Sequence, residues 1–265
     1  MALSCSAGGK DQSNGPGQAG ASGGHTSGPV LNDPTAGSLG LTVGGSGSAS
    51  DPGCPTSISG TVYDPAGKLP LYNVVVYEPS EALVPLKTGS SCETCDGNFS
   101  GRPVAAAVSD AAGHFKLEGL KATENVPLVI PVGKWRRQIT VPSVKACQDN
   151  VIDEPELFRL PRNQAEGDLP QMAVVRGGSE ALECLIHKLG VDDSEFTSDG
   201  GKGRVHLYVS EGGTATAGTA TLADGTKLGT DDSLLDSLDK MKGYDMLLLG
   251  CEGTDNIIEG RPEMQ

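Results

Sequence analysis

The residues with the most chemistry to offer are seven cysteines, four histidines and one tryptophan in a chain of 265. Cys92-Glu93-Thr94-Cys95 is a C-x-x-C. Redox work wants that motif opening a helix after a strand, with a depressed thiolate pKa, whereas this one lies in a polar, Gly/Ser-rich stretch. Together with Cys54 and Cys147 it supplies the four thiols of a structural zinc site. The same four residues also make two disulfides, Cys92–Cys95 and Cys54–Cys147, the second fastening the ends of a strand-rich stretch. Zinc and disulfide both stand on the sequence, pairing being the reading that suits an oxidising compartment. No other metal site and no cofactor are read.

A second cysteine motif, Leu249-Gly250-Cys251-Glu252-Gly253, has the form of a G-x-C-x-G nucleophile elbow without its first glycine. A nucleophilic Cys needs a His base. His25, His114, His187 and His206 all precede Cys251, and only His206, expected one strand over, suits the role. The plainer reading is a small apolar Cys at a strand end, and no catalytic residue is assigned. Lys134-Trp135-Arg136-Arg137 sets an indole among cations. Trp135 could stack on a sugar while Arg136 and Arg137 hold carboxylates, or, as a lone Trp beside edge charges, it is a core or edge residue with a gatekeeping role. The acidic runs at Asp192-Asp193 and Asp231-Asp232 lack calcium-loop spacing and read as solvated surface. Ala2-Leu3-Ser4-Cys5 resembles the end of a bacterial lipoprotein signal, which marks Cys5 for a lipid, although the basic and apolar regions that normally precede such a Cys are missing.

These residues need elements to hold them, and composition bounds the choice. The chain has 38 Gly and 17 Pro, well above the roughly 12% that the two average together. Few long helical patterns occur, which argues against a (β/α)₈ barrel. A net charge of −14 argues against a basic nucleic-acid face, and no stretch approaches the length of a membrane span. Residues 1–53 hold fourteen Gly, nine Ser and no aromatic residue, and read as a disordered linker. Strands are expected at Ile58–Tyr63, Asn73–Tyr77, Val104–Ser109, His114–Leu117, Val126–Val132 and Arg137–Val141, with turns at Asp64-Pro65-Ala66-Gly67 and Asp110-Ala111-Ala112-Gly113. Such spacing indicates a β-sandwich over residues 54–150. Residues 151–178 read as a connector. Residues 179–265 read as a partial α/β unit: a helix from Ser179 (its N-cap) to Gly190, a strand at 203–209, a long loop over 210–230, a helix at 233–242 and a strand at 244–250. Two strands and two helices have almost no core, so this unit is expected to be truncated and loosely packed, with Leu247–Leu249 partly exposed.

Ser59-Gly60-Thr61-Val62-Tyr63-Asp64, Gly67-Lys68-Leu69-Pro70-Leu71-Tyr72-Asn73-Val74 and Ser109-Asp110-Ala111-Ala112-Gly113-His114-Phe115 resemble the carboxypeptidase regulatory-like domain, a transthyretin-like (prealbumin-like) β-sandwich. The likeness covers about residues 56–142 and is broken between Glu78 and Pro103 by an insertion carrying Cys92 and Cys95. The whole chain resembles uncharacterised bacterial lipoproteins built on that domain, and its C-terminal part the start of a class I glutamine-amidotransferase-like fold. The resemblance implies a non-catalytic, secreted or envelope-anchored protein whose sandwich serves adhesion or scaffolding. Its partners would be an envelope polysaccharide or another surface protein, with membrane contact only through the lipid. The alternatives are a carbohydrate-binding module, or the first part of an amidotransferase-like or hydrolase-like enzyme.

Overall fold

The computed structural model describes residues 54–91, 99–177, 180–210 and 220–250. The expected linker 1–53 with Cys5, the Cys92/Cys95 pair, Ser179, residues 211–219 of the expected loop and Cys251 lie outside the described residues.

Two sheets make the sandwich. One has the order β4 (His114–Glu118), β1 (Ser57–Thr61), β7 (Asp149–Val151), with β4 antiparallel and β7 parallel to β1. The other is antiparallel, in the order β3 (Pro103–Val108), β2 (Val75–Pro79), β5 (Glu124–Val132), β6 (Trp135–Ser143). Alternation sorts the side chains. Ile58, Val76, Phe115, Leu117, Leu128, Ile130, Ile139 and Val141 face inward and form one buried cluster. The two turns read from sequence are closed by their aspartates. Asp64 accepts from the amides of Lys68 and Leu69, and Asp110 from those of Ala112 and His114, at 2.8–3.0 Å. A one-turn helix α1 (Pro155–Phe158) plugs the core with Phe158, edge-on to Phe115 at 5.0 Å between centroids. Gly60 makes room for it, since a Cβ there would lie 2.6 Å from the Phe158 ring. The chain ends of the sandwich are tied by a Cys54–Cys147 disulfide, with Cα atoms 4.8 Å apart.

The insertion after Pro79 is not a free loop. Its described residues on either side of 92–98 lie across the outer face of the β3-β2-β5-β6 sheet. Tyr77, fully buried on that face, donates to the Ser100 carbonyl and meets the Phe99 ring edge-on. Farther along, the Ser90 amide donates to the Lys242 carbonyl at 2.8 Å, so the insertion also reaches the C-terminal unit.

That unit corrects the expectation of a two-stranded sheet without a core. Met172–Arg176, inside the stretch read as a connector, is a strand (β8), and it lies inside the sheet between β10 and β12. Among the described residues the sheet has five strands, in the order β11 (Gly229–Thr230), β10 (Val205–Val209), β8, β12 (Met246–Leu249), with β9 (Phe196–Thr197) also beside β10, and all these pairings are parallel. Helix α2 (Leu182–Lys188) packs Ile186 against Met172, Val174, Leu207 and Val209 on one face. The expected single second helix is two, α3 (Asp231–Leu235) and α4 (Leu238–Lys242), capped by Thr230 and Ser237. They pack Leu234, Leu235 and Met241 against Ala173, Val175 and Tyr208 on the other face. The chain thus leaves β8 over one face toward β10 and returns over the other to β12. Among the described residues β12 is an edge, with Met246 and Leu247 exposed, as expected for Leu247. Leu185, expected in the apolar stripe of α2, is exposed.

Candidate functional site

The Lys134–Arg137 run, read as a ligand platform, sits in the seam between the two units. Gly133, at φ 57°, turns β5 into β6 and aims Lys134 at the α/β unit. The Lys134 ammonium lies 2.5 Å from Asp245 Oδ1 and donates to the Gly89 carbonyl at 2.7 Å. Both charged side chains are largely buried, 15% and 6% exposed. The other oxygen of Asp245 accepts from the Gln171 amide at 2.7 Å. One carboxylate therefore holds the sandwich hairpin and the entry to β8 together.

The other three residues continue the seam. Trp135 packs against the sandwich core and against the Met172/Leu207 cluster, and its indole N–H donates to the Pro161 carbonyl at 3.0 Å. Of the two readings of Trp135, its packing is that of a core residue, a wedge between two cores. Arg136 is buried. Its Nε donates to Asp168 at 2.8 Å, Nη1 to Ser100 Oγ at 2.8 Å and Nη2 to the Val84 carbonyl at 3.0 Å. Arg137 donates to the carbonyls of Glu156 and Arg159. Beside them, the buried Arg159 makes two short bonds to Glu166, which also binds Arg162. The arginines hold the Glu166 carboxyl far below the usual carboxylate range, Arg159 contributing most.

Cys54 and Cys147 are bonded to each other, which removes two of the four thiols from the zinc reading. Cys184 is disulfide-bonded as well, a pairing no spacing had signalled. His206 is not one strand from the Cys251 end of β12. It pairs with Ala173, which in turn pairs with Leu247, so it lies two strands away and below the strand tips. It is buried, with Nδ1 2.9 Å from the Tyr244 hydroxyl, which is 2.7 Å from that of Tyr208. Burial depresses the His206 pKa, against the pull of Asp199. Among the described residues no cluster of His, Cys, Asp and Glu is arranged to hold a metal, and no helix is long and apolar enough to cross a membrane.

Among the described residues, one sheet face of the sandwich is left to solvent. On β4-β1-β7 the outward residues include Ser59, Thr61, His114, Lys116, Asp149 and Val151, and all of these but Asp149 border a shallow cleft of about 560 Å³ that also involves Asp110 and Asp153. Asp149 takes hydrogen bonds from Ser57 and Ser59, which lower its pKa. The polar alternation along His114–Glu118 is the signal in the sequence that carries this face.

No family model and no curated protein matches the chain. Among solved structures it is similar to two interface mutants of a type II cohesin–X-dockerin complex from Acetivibrio cellulolyticus. The first is 14% identical, covering 52% of this chain and 85% of that one, with a TM-score of 0.26. The second is 14% identical, covering 54% and 75%, with a TM-score of 0.25. It is also similar to the dioxygenase domain of a dioxygenase carbohydrate-binding protein fusion from Streptomyces sp. SirexAA-E, at 20% identity, 40% and 83% coverage and a TM-score of 0.19. Scores at that level carry no functional argument.

Proposed function

We propose that this chain is a non-catalytic, envelope-exposed scaffolding protein. Its sandwich, of the carboxypeptidase regulatory-like type, presents the β4-β1-β7 face to a surface partner. The observation that supports this is the asymmetry of the sandwich. One outer face is overlaid by the insertion and its flank is locked to the α/β unit, while the other offers hydroxyl, imidazole, ammonium and carboxylate groups to solvent. Such a surface suits a hydrogen-bonding partner, either an envelope polysaccharide or another surface protein. The disulfide fits an oxidising compartment, and lipid attachment at Cys5 would anchor the body through residues 1–53.

The test is retention on purified envelope fractions. His114→Ser with Lys116→Ser should weaken retention about tenfold, the loss of roughly two exposed hydrogen bonds. Tyr72→Ser, a change at an exposed position that does not line the cleft, should leave retention unchanged. Equal binding by all variants would refute the assignment of this face.

A further inference from the structure

A second cleft, of about 580 Å³, opens where α2 meets the sandwich, and charged side chains from both units line it. Lys68 comes from beside the Asp64–Gly67 turn, Arg162 from the segment between α1 and β8, and His187, Lys188, Asp192 and Asp193 from the end of α2 and the residues that follow it. Backbone bonds fix the walls. The Ala66 amide donates to the Leu189 carbonyl at 2.9 Å, the Asp192 amide to the Arg162 carbonyl at 3.0 Å, and the Lys68 amide to Asp64 at 2.8 Å.

Both carboxylates of the lining are engaged. Asp193 lies 2.7 Å from His187 Nε2, and Asp192 accepts from the Asn163 side chain. The cations are in excess. Arg162 is held by Glu166 through Nε and Nη2, but Glu166 is shared with Arg159. Among the described residues Lys68 and Lys188 are exposed and hold no carboxylate. Lys188 is not needed to close its own helix, because chain amides already take the carbonyls of Leu185, Ile186, His187 and Leu189. A single exposed ion pair contributes little, so a shallow cleft of this kind holds a lone anion weakly. Several such contacts made by one chain reinforce each other through effective concentration. A polymer carrying acid groups is therefore the ligand that fits. Asp192 and Asp193 narrow the choice, since they repel a bare polyphosphate or a nucleic acid and can accept further bonds from hydroxyl groups.

We infer that this cleft binds an acidic polysaccharide, whose acid groups accept from Lys68, Lys188 and Arg162 and whose hydroxyls donate to Asp192 and Asp193. A carboxylate-bearing and a sulfate-bearing polysaccharide share this chemistry. The cleft has no residue in common with the one on β4-β1-β7, so the two assignments stand or fall separately.

Biolayer interferometry of the full chain over immobilised polygalacturonate and dextran sulfate tests this, with unsubstituted dextran and a single-stranded DNA oligonucleotide as controls. At least one of the acidic polysaccharides should bind, and the tighter of the two identifies the acid group. Raising salt from about 50 to about 200 mM should weaken that binding about tenfold. Lys68→Gln with Lys188→Gln should weaken it about tenfold or more and leave Tm unchanged, since both side chains are exposed. His114→Ser with Lys116→Ser should leave it unchanged, which separates this cleft from the sandwich face. No binding to either acidic polysaccharide would overturn the inference. Undiminished binding by the lysine variant would do the same, as would DNA or unsubstituted dextran that binds equally tightly.

Discussion

Glu166 and His206 give the molecule two acid sensitivities of different origin. Glu166 is paired with Arg159 and Arg162, and its folded pKa lies well below the unfolded one. The stability it lends is complete above the unfolded value, about 4.3, and is lost as pH falls through that region toward the folded value. His206 is instead held neutral by burial, its folded pKa lying below the unfolded value of about 6.5. Stability from that source falls as pH drops below about 6.5, because only the unfolded chain takes up the proton readily. Urea midpoints measured across pH should therefore decline in two stages. His206→Gln should flatten the upper stage and Glu166→Gln the lower one. A single stage that survives both substitutions would show that other groups govern the acid limb.

At the scale of elements, the docking of α2 against the sandwich rests on Gly190. It ends the helix at φ 100°, and a side chain there would drive into the backbone of Ala66, whose amide donates to the Leu189 carbonyl. Gly190→Ala is expected to cost about 2 kcal/mol or more, combining the left-handed conformation with the clash. Gly225→Ala, at φ 86° with open space around it, should cost only the conformational part. Chemical denaturation of the two variants gives the comparison, and equal losses would remove the packing contribution. Much of the sandwich was readable in advance, because the Val62, Val76, Phe115 and Leu128 positions alternate between turns marked by Gly and Pro. β8 was not readable. Met172-Ala173-Val174-Val175 is an apolar run too short to carry a period, and its strand character comes from partners in β10 and β12 that lie far along the chain. The role of Trp135 and Arg136 was equally hidden. Asp168, Pro161 and Ser100 claim them only after folding, and nothing in Lys134–Arg137 itself separates a ligand platform from an internal seam.

For the whole molecule, the shared position of Trp135 in two cores predicts one unfolding transition rather than two. Trp135→Ala should split it, with the α/β unit melting first, and calorimetry distinguishes the cases. Two transitions already present in the unsubstituted chain would show that the seam does not couple the units. The disulfide closes a separation of 93 residues, so its reduction should lower stability by up to about 4–5 kcal/mol in the chain-entropy account. The Lys134–Asp245 contact has a further consequence in time. Its partners are 111 positions apart, and the Gln171–Asp245 bond spans 74. Asp245 leaves the ribosome long after the β5–β6 hairpin that receives it, and β8 must wait for β12 while its neighbour β10 is already in place. The sandwich is therefore a template on which the last strand is registered, and the late, long-range closure sets the pace of refolding.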